Sequence, residues 1–459
     1  MQANEKLGRH AIIIGASVVG LMTAKLLSHR FDKVTLIERD PFSDAPGPRK
    51  MTPQSNHYHI LLRGGLLMLN ELYPDFTARM LELGSTPVRV GVDLLYHTPW
   101  GTGYSQSGSI QAPRDLDQLI LAQSRNLLEF NIRKFTLESS NIVAMPGCTA
   151  TALQHENGRV TGVVVQTSAG TQSLDADLVV DAGGRGSRAP KWLADLGYSA
   201  PLETHIGCDL AYTTTKFRIP AGIADSHQIH AFYSVIPDTK GAAMMHHIEN
   251  DTWHISLQGR APDYPPQDAE GFVEFARNLY NPDLYEMLKH AERVDDLYHM
   301  RFPSAVLRHY EKLERFPEGY LVIGDAICSV NPVYGQGMSA HATTLRALNE
   351  LLDARTAAGS SLDGLAREFF PRAVELINNP WTLAAMSDFI MYSGTQGDKP
   401  ANLEQVYQYM QGLDMLSVED AEVHALLADV YNLVQPISAL FGNDLPAKVQ
   451  ARLLAMADA

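Results

Sequence analysis

"HAIIIGASVVGLMTAKLL", residues 10–27, decides how this chain folds. Four apolar residues, Ala11 to Ile14, run into Gly15. Ser17 stands two positions on, and Gly20 leads a helix-like stretch. A phosphate-binding turn reads G-x-G-x-x-G, so serine replaces the middle glycine here. Three readings compete: a dinucleotide site with a tolerated change, a membrane span, and an ordinary strand–turn–helix. A span needs about 20 clean apolar residues. This run is broken by Gly15, Ser17, Gly20, Thr23 and Lys25. No small-residue cleavage site follows a basic start, so a signal peptide is not expected either.

The bulk numbers narrow the field. The chain has 459 residues, 45% hydrophobic and 19% charged, which is ordinary globular composition. A net charge of -15 argues against nucleic acid or an anionic membrane surface as partner. Three scattered cysteines, Cys148, Cys208 and Cys328, make neither a disulfide framework nor a metal cluster. The expectation is a cytoplasmic protein with no metal and no integral membrane segment.

The surroundings support a nucleotide turn. Residues 10–14 read as a buried strand and 19–29 as a helix, whose free N–H groups suit a pyrophosphate. "KVTLIERD" (33–40) is a second strand ending in Glu38. That carboxylate comes after Gly15 by close to the spacing of about 20 residues at which one grips an adenosine ribose. Residues 41–56 are a proline-rich loop, and 58–72 and 115–129 read as helices. Asn157-Gly158 turns a hairpin within 150–167. From 205 to 260 the pattern alternates in the manner of a sheet, and helices dominate from about 372.

Two further stretches agree with the first. In "DLVVDAGGRGSRAPKWL" (177–193) a β-run ends in Asp181, and Ala182, Gly183 and Gly184 allow close backbone approach. In "GYLVIGDAICSVNPVYGQGMSAH" (319–341) a buried strand ends in Gly324-Asp325. Pro332 then fixes a turn, and Gly335, Gly337 and Met338 open a helix. Its N–H groups suit an anionic ring.

In this order and spacing the three motifs resemble those of the class A FAD-dependent monooxygenases, the aromatic-hydroxylase superfamily. The likeness covers the chain to about residue 395 and is nearest the bacterial branch with polyether-ionophore polyene epoxidases. The supporting stretches are "PQSNHYHILLRGG", "DAGGRGSRAPKWLADLGY", "CDLAYTTTKF", "ERFPEGYLVIGDAICSVNPVYGQGMSAH" and "NPWTLAAMSDF". Two departures from the best-known hydroxylases stand out: Ser17 for the middle glycine, and Gly183-Gly184 where those enzymes carry Asp-Gly.

The resemblance implies an α/β fold: a GR2-type Rossmann-like FAD-binding domain, an inserted antiparallel β-sheet substrate domain and C-terminal helices. We expect residues 1–82, 111–200 and 301–371 in the first, 83–110 and 201–300 in the second, and 372–459 in the third. It implies non-covalent FAD, with NAD(P)H as co-substrate. The expected cofactor residues are Gly15, Ser17, Gly20, Glu38, Arg39, Arg49, Asp181, Gly183, Asp325, Pro332, Gly335, Gly337 and Met338. Arg114 looks like the arginine that opens the family's second long helix and touches FAD.

His57 and His59 read either as polar loop residues or as groups at the flavin edge. Tyr212, His230, Phe232, His246 and His254 are expected along the substrate pocket. Flavin halogenases carry Trp-x-Trp-x-Ile-Pro in a sheet, and "TWHISL" (252–257) lacks it. No buried base is evident, which favours epoxidation of an alkene in secondary metabolism, using O2 through a C4a-hydroperoxyflavin on a small apolar substrate. Hydroxylating a phenol usually needs such a base. An aromatic hydroxylase, an isoprenoid double-bond reductase and a non-catalytic flavin-binding module stay open as alternatives.

Overall fold

The computed structural model describes residues 6–90, 92–98, 101–102, 119–233 and 241–457. Five strands form a sheet in the spatial order Tyr320–Val322, Leu178–Asp181, Gly8–Ile14, Phe31–Glu38, Ile142–Pro146. Every neighbouring pair is parallel. Strands covered on both faces read as unbroken apolar runs, and Ala11, Ile12 and Ile13 are fully buried. The Val18–Ser28 helix returns across Phe31–Glu38 and packs against the Arg125–Leu137 and Gly337–Ala358 helices. Parallel register brings Ile14 beside Ile37 and Asp181, and Asp181 beside Val322. The three motif turns therefore leave one edge of one sheet, where α/β proteins bind ligands.

The hairpin forms as expected, with Asn157 and Gly158 both at positive φ. It becomes a three-stranded sheet when Gly170–Asp175 pairs with Arg159–Thr167.

The second large sheet is built around Leu202–Arg218, flanked by Tyr298–His309 and Thr252–Arg260. Ala242–Ile248, Ile229–Phe232 and Leu94–Thr98 follow in that order. Its pairings are antiparallel except for Ile229–Phe232 on Leu94–Thr98, which is parallel. That one pairing departs from the all-antiparallel expectation, because Leu94–Thr98 arrives from a distant stretch of chain and not through a hairpin.

Two helix expectations are corrected. The span 58–72 is helical only over Arg63–Leu72, because residues before it run extended and Leu62 is an extended N-cap. Among described residues, 115–129 holds a strand, Leu119–Ala122, that pairs with Thr86–Arg89, and helix begins only at Arg125. Ser124 caps that helix by accepting from the Leu127 N–H. No helix among the described residues is long and apolar enough to cross a membrane.

The C-terminal helices Leu365–Met391, Leu403–Glu419, Ala421–Tyr431 and Leu445–Ala457 are not a separate appendage. The first joins the main core through Phe369, Phe370 and Ile377, and the others share a smaller core around Leu413, Leu427 and Leu440.

Candidate active site

Gly15 leaves its strand at φ 103°, a conformation that favours glycine. A Cβ on Gly20 would lie 1.9 Å from the Gly15 carbonyl oxygen, so helix and turn meet backbone to backbone. Glu38 is buried at the end of the adjacent strand. Its carboxylate accepts from the Ala16 N–H at 2.8 Å and the Asp40 N–H at 3.0 Å, and Arg49 pairs with it at 2.6 Å.

Arg49 also pairs with Glu129, which accepts from the Ser17 hydroxyl at 2.8 Å and from Arg125 Nη2 at 2.7 Å. Burial pushes the Glu129 carboxyl upward, but Arg125 and Arg49 outweigh it and hold it below the ordinary value. Arg39 is exposed beside this ring and lines the same cavity. The structure thus gives Ser17 a definite job, bridging two helices.

Asp181 points back into its own turn. It accepts from the Gly183 N–H at 2.7 Å, the Ser187 hydroxyl at 2.8 Å and the Tyr320 hydroxyl at 3.2 Å. Burial raises its carboxyl despite these bonds. Its part is to shape the Gly183 backbone.

Asp325 instead faces the cavity with its side chain 46% exposed, and His341 Nε2 lies 2.9 Å away. Burial works upward on this carboxyl, while His341, Arg125 and Arg185 more than offset it and hold it low. Pro332–Tyr334 forms a 3-10 turn ending at Gly335, φ 66°. The Gly337–Ala358 helix then starts, with Met338 against Arg125. Ser339 accepts from the Leu62 N–H at 2.8 Å, fixing residues 57–62 to the helix.

Those residues carry the two histidines. His57 Nδ1 lies 2.9 Å from the Thr214 hydroxyl, and its ring meets Tyr212 edge-on at 4.5 Å. Burial, with neighbouring His59 and His299, pushes His57 down to about 3. Burial and Arg125 push His59 down to about 4. Both rings are neutral near pH 7.

The three turns and the large sheet enclose one continuous cavity of about 1170 Å³. It runs from Gly15 and Glu38, past His59 and Tyr212, to Met244, Tyr96 and Tyr233. Leu383, Met386 and Ile390 roof it, with Met410, Asp414 and Tyr431 further along. The roof is tied down by Asp388. That buried carboxylate pairs with Arg260 at 2.6 Å and accepts from Asn331 at 2.7 Å and the Tyr334 hydroxyl at 2.8 Å.

Of the five expected pocket residues, only Tyr212 lines this cavity. Ile229 faces it, so alternation sends His230 and Phe232 to the opposite face. There His97 stacks on Phe232 at 4.3 Å and Trp253 lies 5.8 Å from His230. His246 and His254 are on the cavity face but are covered. Tyr58 lies over His246 at 4.1 Å, and His254 Nε2 lies 3.3 Å from the Asn56 carbonyl. Arg114 lies outside the described residues. The arginine that opens the long helix is Arg125.

Arg125, Glu129 and Asp414 were missed. The first two were legible as an i, i+4 pair of opposite charge, masked by starting the helix too early. Asp414 was legible as one acid amid "YQYMQGLDML" (407–416).

No family model matches the chain. Protein Rv3254 of Mycobacterium tuberculosis is 31% identical over 404 residues, 85% of this chain and 82% of that protein. Among solved structures, the flavin-dependent brominase Bmp2 superposes with a TM-score of 0.69 at 12% identity, over 98% of this chain and 99% of its own. The p-nitrophenol 4-monooxygenase PnpA of Pseudomonas putida DLL-E4 gives 0.65 at 15% identity, over 94% and 99%. The chain belongs to the same family as Protein Rv3254, and its fold is that shared by the flavin-dependent brominase Bmp2 and the monooxygenase PnpA.

Proposed function

We propose that this chain is an NAD(P)H-dependent FAD monooxygenase that epoxidises an electron-rich alkene in an apolar secondary metabolite. The observation that carries the reading is the single cavity joining the three motif turns to an apolar chamber under the sheet. In this reading residues 1–82, 111–200 and 301–371 make up the FAD-binding part.

The residues fit FAD. The missing Cβ of Gly20 and the positive φ of Gly15 leave backbone N–H groups open at a helix N-terminus. Gln336 Oε1, in the wall of the cavity, is buried without a hydrogen-bond partner among the described residues. In this reading Glu38 holds the adenosine ribose, and Arg49 and Arg125 balance the pyrophosphate. Asp325 receives the ribityl hydroxyls, and the N-terminus of the Gly337 helix faces the flavin ring. FAD, when bound, stores the two electrons from NAD(P)H and activates O2.

The chain's own residues do the remainder. Leu383, Met386 and Ile390 exclude water from above, which favours productive transfer over peroxide release. His57 and His59, neutral under their burial, offer hydrogen bonds without acting as proton donors. Tyr212 is held protonated by burial, its hydroxyl on Met300 Sδ at 3.0 Å.

Turnover of a polyene under ¹⁸O2 tests the proposal. Label entering the product from O2, with peroxide yield falling as substrate is added, is expected. Oxygen from H2¹⁸O instead would refute it.

A further inference from the structure

The far end of the cavity holds a carboxylate that the proposed oxygenase chemistry does not use. Asp414 projects from the Leu403–Glu419 helix into the cavity, together with Met410 and Ser417 of the same face. The buried carboxylates Glu38, Glu129, Asp181 and Asp388 each have a cation or hydrogen-bond donors. The side chain of Asp414 has neither among the described residues. Tyr96, Tyr233 and Tyr431 line the cavity with Asp414 and feel its charge. Tyr96 and Tyr233 stack at 5.7 Å.

We infer that Asp414 and these tyrosines form a recognition site for the protonated amine of an elongated, otherwise apolar substrate. Asp414 is half-buried; an unpaired carboxylate facing a largely apolar cavity is costly, and a cation from the ligand removes that cost. Aromatic faces around it add cation–π attraction, which an alcohol or hydrocarbon cannot exploit.

The length of the substrate follows from the sheet. The strand of Tyr96 lies four positions from that of Tyr212 in the strand order. At about 4.8 Å per strand the two ends are roughly 19 Å apart. An amine anchored at Asp414 would leave the distal carbons to reach Tyr212. The inference rests on the oxygenase reading only in calling this ligand a substrate.

Burial raises the Asp414 carboxyl to about 7. Tyr58, Tyr96, Tyr233 and Tyr431 around this end are all pushed above their ordinary value, so they stay neutral across the tested range. Amine binding should therefore strengthen about tenfold from pH 6 to pH 8 as the carboxylate forms.

The test measures binding to the full chain, as purified and without NAD(P)H, by calorimetry. The probes are 4-phenylbutylamine, 4-phenylbutan-1-ol and butylbenzene at pH 6 and 8. The amine should bind at least tenfold tighter than the alcohol at pH 8, and lose most of that preference at pH 6. Asp414→Asn should erase the preference and leave alcohol binding unchanged. Equal affinity for amine and alcohol, or a preference that survives in Asp414→Asn, would overturn the inference. If the variant does not fold, the pH dependence of the wild-type preference decides alone. Amine binding without oxygen transfer would sink the proposed function and keep this site; oxygen transfer without amine preference would do the reverse.

Discussion

Replacing Gly20 with alanine isolates the contact on which the nucleotide turn depends. The new Cβ would stand 1.9 Å from the Gly15 carbonyl oxygen and 3.0 Å from its carbon. Both are backbone atoms, so no rotamer change relieves the clash. Gly15 is held in place by its N–H bond to the Ile37 carbonyl at 2.8 Å. Helix and turn must therefore part by about 1 Å, a typical overpacking cost of roughly 1–3 kcal/mol. Alanine returns up to about 1 kcal/mol as the better helix former. The net expectation is a loss of up to roughly 2 kcal/mol in urea unfolding when that return is complete. The displaced N–H groups should weaken FAD more than tenfold in fluorescence titration. Gly337→Ala is the control for stability alone, because the nearest atom to its Cβ is Val330 Cγ2 at an ordinary 3.5 Å. Wild-type stability and FAD affinity in Gly20→Ala would refute the close-approach reasoning.

Glu38→Gln should weaken FAD by roughly 1.5–3 kcal/mol, the range for a hydrogen bond to a charged group, and an unchanged dissociation constant would remove Glu38 as ribose ligand. Asp388→Ala strands Arg260 in the interior and should cost about 3–5 kcal/mol by urea unfolding, with loosened FAD from the untethered Pro332–Tyr334 turn. Stability should fall on acidification from about pH 6.5 toward pH 4. His57, His59, His230 and His254 stay neutral when folded, with values pushed down to between about 3 and 4, whereas the unfolded chain takes up protons through its ordinary 6.5. The loss approaches about 1.4 kcal/mol per pH unit for each. His57→Gln should flatten that slope, and urea midpoints independent of pH would contradict the neutral-histidine assignment.

What was legible in the sequence was what local backbone dictates. Gly15, Gly324 and Gly335 take positive φ in turns whose neighbours are adjacent in the chain, so the three motifs could be placed without a fold. Glu38 was legible for the same reason, as the last residue of a short apolar strand. The pocket was not. Alternation shows that His230 and Ile229 face opposite ways, but not which of them faces the cavity. His246 and His254 lie on the correct face and are still lost to the pocket, because Tyr58 and Asn56 arrive from nearly 200 residues away. The long helix was misplaced because the apolar run 119–122 fits strand and helix alike. Only its pairing with Thr86–Arg89 decides.

The C-terminal helices show best why site and fold cannot be separated here. Read from sequence they lack an assigned partner, since an amphipathic helix states that it has a buried face but not what buries it. For the first of them, Leu365–Met391, Asp388 answers that question. Its carboxylate takes Arg260 from the large sheet, and Asn331 and Tyr334 from the turn before the Gly337 helix. One buried group thus joins the roof, the floor and the third motif. A roof that shifts leaves Arg260 of the sheet unpaired even if the turn moves with it, which is expensive. The position of the roof and the placement of the third motif are therefore coupled, through contacts between residues far apart in the chain.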